Sequence, residues 1–177
     1  MKKSVQAAVG GVCAALSVAV MLCSGIFYVF TYAVPMILGL VMMFLKRTFS
    51  SSCAWCVYIA VSILSIILVP DKETVLMYTL FFGYYPIIKS NIDKIKFKLI
   101  RNIVKLLIFN LAVAAVECIA YFIFGIPFFE DGNFSAAMII LFTVLLNVTF
   151  VLYEFLLKNF MILYERKLEK RILKIFK

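Results

Sequence analysis

Six apolar runs, each close to the length of one bilayer crossing, take up most of this 177-residue chain. They cover about 4–24, 27–45, 52–69, 74–90, 102–125 and 136–157. Only short polar breaks divide the later ones: "KRTFSSS", "PDKE", "KSNIDKIKFKLIR" and "PFFEDGNFS". A helix of about 20 such residues rises through the hydrocarbon layer with every backbone group bonded internally, which lipid demands. Water is excluded as the solvent: a soluble domain is about 45–50% apolar, and this chain is 66% apolar and 15% charged. The expected architecture is an all-α integral membrane protein. One bundle of about six transmembrane helices fills 1–163, followed by a basic amphipathic tail over 164–177.

The start of the chain, Met1-Lys2-Lys3 and then an apolar run, imitates a signal peptide. "VMLCSG" around Cys23 loosely resembles a lipoprotein cleavage box, but Leu22 is large where such a site needs a small residue. The first run is therefore expected to be retained as a span. Five cysteines at 13, 23, 53, 56 and 118 form no disulfide framework and read as reduced or lipid-facing. "CAWC" at 53–56 has redox spacing without the strand–helix setting of a redox motif.

Charge fixes the orientation, because cytoplasmic loops collect Lys and Arg. With the N-terminus inside and six crossings, 17 of the 18 basic residues fall on the inner side; Lys72, beside Asp71 and Glu73, falls outside. Both termini are thus expected in the cytoplasm of a cell (plasma) membrane protein. The net charge of +9 reflects topology and not a nucleic-acid surface.

"LFFGYYPIIK" at 80–89 marks the inner end of the fourth run, where aromatic rings favour the interface. Pro86 removes a helical hydrogen bond, and Gly83 one turn away admits a neighbouring backbone. Two readings stand for this pair: a kink within an aromatic belt, or a functional hinge. Beyond it, Ile88, Ile92, Ile95, Leu99 and Ile103 form one stripe, with Lys94, Lys98, Arg101 and Lys105 on another face. That is the pattern of a cationic helix lying on anionic headgroups, either as a connector or as a docking surface.

Ala7, Gly11, Ala15 and Ala19 recur every four residues in the first run, a stripe that lets another helix approach closely. It serves internal packing or a partner helix. Asn110 with Glu117, and Asn147 with Glu154, each lie two turns apart on one face. Asn110, Glu117 and Asn147 are the ligand-binding candidates, since polar groups at that depth are expensive; interhelical hydrogen bonding is the alternative. Glu117 is expected to be neutral, bound to a ligand, or paired with Tyr28 or Tyr32. Glu154 is expected to pair with Lys158 one turn on.

The chain has no histidine, no phosphate-binding glycine loop and no nucleophile–base motif. Catalytic residues, a metal site and a cofactor are therefore not expected, and the chain does not read as an enzyme.

With its small basic six-helix plan and its "AAVGGVCAALSVA" first helix, the chain resembles the substrate-binding S components of energy-coupling-factor vitamin transporters. The resemblance implies uptake of a small vitamin-like molecule, with ATP hydrolysis supplied by partners: a transmembrane coupling protein and ATPase subunits. It places the first-helix stripe against the coupling protein. Asn110, Glu117 and Asn147, together with the 25–34 link, would stand near an outer ligand site. "LFFGYYPIIK" matches no S-component motif. The alternative is a membrane scaffold that binds other membrane proteins, similar to rod-shape-determining cell-wall proteins.

Overall fold

The computed structural model describes residues 3–24, 28–125 and 136–168, and these are almost wholly helical. α1 (Lys3–Leu22), α2 (Tyr28–Thr48), α3 (Ser51–Leu68), α6 (Lys98–Phe124) and α7 (Ala136–Leu163) are long rods. The fourth apolar run is divided into α4 (Lys72–Met77), a π-helical turn over Tyr78–Phe82, and α5 (Tyr85–Ile92). Among the described residues four helical segments, α1, α3, α6 and Met138–Arg166, which takes in most of α7, are long and apolar enough to cross a membrane, which fits a multi-pass membrane protein. α2 ends in Lys46 and Arg47, and the divided fourth run lacks one continuous rod. Residues 1–2, 25–27, 126–135 (with Glu130 and Asp131) and 169–177 lie outside the described residues.

α2 runs between two cores. On one side α1 packs on α3: Gly10, Ala14, Val18 and Met21 meet the face of Ala54, Val57 and Val61. A Cβ on Gly10 would stand 3.1 Å from a Val57 methyl, so the glycine sets how closely the helices meet. On the other side Met43, Phe81, Phe82, Tyr85, Phe109, Phe150, Tyr153 and Leu157 join α2, the divided run, α6 and α7. Phe109 and Phe150 stack with centroids 4.8 Å apart, and Phe81 stacks on Tyr85 at 4.6 Å. α7 turns Phe150, Tyr153 and Leu157 inward, while Val151, Leu152 and Phe155 face out. Large apolar side chains on an outer face are what lipid contact requires.

The break at 83–84 has a packing cause. The Gly83 N–H donates to the Tyr78 carbonyl at 2.7 Å, closing a wide π turn. A Cβ on Gly83 would fall 2.6 Å from the Tyr58 ring and 2.9 Å from the Tyr78 carbonyl oxygen of its own turn, so from the neighbouring helix it is a side chain, and not the expected backbone, that approaches it. Pro86 is the second residue of α5, where its missing N–H leaves nothing unsatisfied. It starts a new helix instead of bending a continuous one. The continuous surface helix expected over 89–105 is likewise not formed: α5 stops at Ile92 and α6 begins at Lys98. Lys105 is buried, not solvated, because it turns toward carboxylates of neighbouring helices.

Candidate functional site

The basic end of the bundle is organised around one carboxylate. Glu154 on α7 accepts hydrogen bonds from the Lys89 ammonium and the Tyr85 hydroxyl of α5, and from Lys105 Nζ of α6 at 2.8 Å. Asp93, just past α5, lies 2.6 Å from Lys105 Nζ and 3.8 Å from Lys89 Nζ. Lys89 and Lys105 are each only 6% exposed, so these cations persist only because carboxylates accompany them. The expected Glu154–Lys158 pair is replaced by this cluster. A carboxylate out of water gains more from cations that share its desolvated setting than from a solvated neighbour one turn away.

Beside the cluster opens a cavity of about 750 Å³. Its walls come from the end of α2 (Lys46, Arg47), from α5, from the start of α6 (Arg101, Lys105) and from α7 (Glu154, Lys158). Six cations and two carboxylates face it. Arg47 is matched by Glu165 at 2.9 Å, at the rim where both are 46% exposed. Lys46 donates only to neutral oxygens, the Ile87 carbonyl and the Ser90 hydroxyl. Arg101 and Lys158 have no ion pair among the described residues. Lys46, Arg101 and Lys158 thus line one space without an ion-pair partner among the described residues.

The opposite end is acidic. Asp71 caps α4 through the Thr74 N–H at 3.2 Å and accepts from Ser24 at 3.2 Å and Thr31 at 3.3 Å. Glu73 accepts from the Tyr32 hydroxyl, and Glu117 lies near enough to Glu73 to feel its charge. Tyr32, an expected donor to Glu117, is therefore engaged by Glu73; the Tyr28 side chain lies outside the described residues. Lys72 turns back onto the Ile66 and Val69 carbonyls at 2.9 and 2.8 Å, capping α3 rather than neutralising its acidic neighbours.

Asn110 and Asn147 are brought together. Each amide donates to the other's carbonyl oxygen, at 3.0 and 3.2 Å, and also to the backbone four residues earlier. They join α6 to α7 side by side, with Glu117 standing apart near Glu73. Ala7, Gly11, Ala15 and Ala19 are all exposed; α3 is met by the neighbouring face of Gly10, Ala14 and Ser17. All five cysteines are free thiols.

Sequence reasoning passed over Lys46, Tyr85, Lys89, Arg101 and Lys105 as site residues. One signal was present. Lys89 closes the fourth run, Lys105 enters the fifth and Glu154 nears the end of the sixth, so all three share one depth once the runs alternate in direction.

No protein-family model matches the chain, and no curated protein and no solved structure matches it. The fold and the cavity define the class of protein: a helical bundle of membrane type with a cavity lined by six cations and two carboxylates at its basic end.

Proposed function

We propose that this protein is a non-catalytic, multi-pass protein of the plasma membrane that binds an anionic ligand at the cytoplasmic end of its bundle. The chain crosses six times, with α2 and the divided fourth run completing the set, and both termini lie in the cytoplasm. The observation that carries the binding role is the charge imbalance of the cavity, six cations against two carboxylates. Lys89 and Lys105 are committed to Glu154 and Asp93, and Arg47 to Glu165. What remains, Lys46, Arg101 and Lys158, is a convergent set of donors for phosphate or carboxylate oxygens. The segregation of charge supports the orientation: basic residues gather at the cavity end, and Asp71, Glu73 and Glu117 gather at the other.

The test is the melting temperature of the purified protein titrated with inorganic phosphate and with glycerol 3-phosphate. A ligand that binds only the folded state raises it by mass action. Stabilisation by either anion that disappears in Arg101→Gln/Lys158→Gln supports the reading; identical stabilisation in that variant removes it.

A second reading is favoured by the exposure of Ala7, Gly11, Ala15 and Ala19. A small-residue stripe left open on α1, where a Cβ on Gly11 would meet nothing, suits association with another membrane protein. Such a partner would be the coupling protein of a transporter or the client of a scaffold. Recovery of a membrane partner in mild detergent, and its loss in Ala15→Leu, would support it; normal recovery in that variant would remove it.

A further inference from the structure

We propose that the group held in the cavity is the phosphate monoester of a lipid, which enters sideways from the membrane rather than from the aqueous side. The inference rests on the anion-binding reading and names its ligand class. Its first support is the composition of the cavity's walls. The same space that collects Lys46, Arg101 and Lys158 is also lined by Phe155, Met161 and Ile162 of α7. Phe155 is 63% exposed and Ile162 is 40% exposed, so this wall lies on the outer, lipid-directed surface of the bundle. A free hydrophilic anion gains nothing from such a wall. An acyl or prenyl chain attached to the anion would lie along it, removing apolar surface from the interface.

Position gives the second support. The cations stand at the ends of apolar runs, where headgroups lie, and basic pockets between helices at that level are built for phosphorylated headgroups. The volume of about 750 Å³ exceeds what one phosphate fills and falls within the range of small-ligand sites, leaving room for the first part of a chain.

Charge selects among lipid phosphates. A diester carries one negative charge, whereas a monoester carries about −1.5 to −2 near neutral pH and presents three oxygens. Three cations without an anionic partner among the described residues match the monoester better. Arg101 supplies a planar fork and Lys46 and Lys158 supply point charges. Lys89 and Lys105 also line the cavity but are balanced by Glu154 and Asp93, so the ligand need not break that cluster.

The experiment uses the full chain in nanodiscs of phosphatidylcholine doped with phosphatidic acid, a monoester, or with phosphatidylglycerol, a diester. A third arm adds soluble glycerol 3-phosphate to undoped discs, and bound lipid is read by native mass spectrometry. Phosphatidic acid is expected to be retained in preference to phosphatidylglycerol. Its affinity should fall about tenfold in Arg101→Gln and again in Lys158→Gln, the loss that goes with removing one charged hydrogen-bond donor. Lys72→Gln, at the other end of the bundle, should leave it unchanged. Both cavity variants alter side chains without ion-pair partners among the described residues, and unchanged melting of the lipid-free protein confirms that they fold. Equal retention of the two lipids overturns the monoester assignment. Binding of glycerol 3-phosphate as tight as that of phosphatidic acid overturns the lipid source while leaving the anion site standing. Failure of every anion to bind overturns the anion site as well.

Discussion

Glu154→Gln separates the buried cluster from the simple helical pair that spacing suggests. The substitution keeps the size of the side chain and an acceptor for Tyr85, but removes the negative charge shared by Lys89 and Lys105. Those two lysines have side chains 8% and 7% exposed. Stripping the partner from a buried ion pair costs about 3–5 kcal/mol, because the remaining charge stays out of water. Asp93 still stands 2.6 Å from Lys105, but it is 41% exposed and solvent screens part of its effect. The lower end, about 3 kcal/mol, is therefore expected from breaking the pair. For a chain of this length that lowers the melting temperature by about 6–12 °C. Were Glu154 merely paired with Lys158, the loss would be only about 0.3–0.5 kcal/mol. The assay is far-ultraviolet circular dichroism of the purified protein in mild detergent, at one fixed scan rate, with Lys158→Gln as the reference. A shift for Glu154→Gln no larger than that of Lys158→Gln would refute the cluster as the organiser of this end.

Gly39→Ala should destabilise by about 1–3 kcal/mol, because its Cβ would meet the Tyr153 hydroxyl at 2.1 Å and the Phe82 carbonyl oxygen at 2.8 Å. Gly11→Ala, with open space around it, should melt at or above the wild-type temperature. In a double-mutant cycle, Asn110→Ala and Asn147→Ala should show a coupling of about 0.6 kcal/mol; additive losses would mean that the amides do not bond each other. In a cysteine-free background, Lys72→Cys should react with an impermeant maleimide added to intact cells, and Lys158→Cys only after permeabilisation. The reverse pattern would invert the topology.

The helical class and the places of the rods were legible because lipid imposes one pattern, about twenty apolar residues between polar breaks. Division of the fourth run was legible only in its markers. Gly83 and Pro86 indicated an irregularity, but the π turn and the Tyr58 ring that fills the space beside Gly83 come from tertiary packing. The α1 stripe was legible as a set of small residues, and its outward direction was not. Gly10 and Gly11 are both small, and only contact with Val57 decides which of them faces α3. The basic cavity was hardest to read. Its lysines look like ordinary interfacial residues until α5, α6 and α7 bring them to one carboxylate. Neutralisation of Lys89 and Lys105 leaves Lys46, Arg101 and Lys158 as the open set, and no local window contains that difference.

The most direct test of the anion site is native mass spectrometry of the protein extracted from its own membranes in mild detergent, alongside Arg101→Gln/Lys158→Gln. The cavity predicts that the wild-type protein carries a phosphorus-containing adduct that survives purification, and that the double variant, equally folded, has lost it. Identical adduct spectra for the two proteins would contradict the claim that these cations hold an anion.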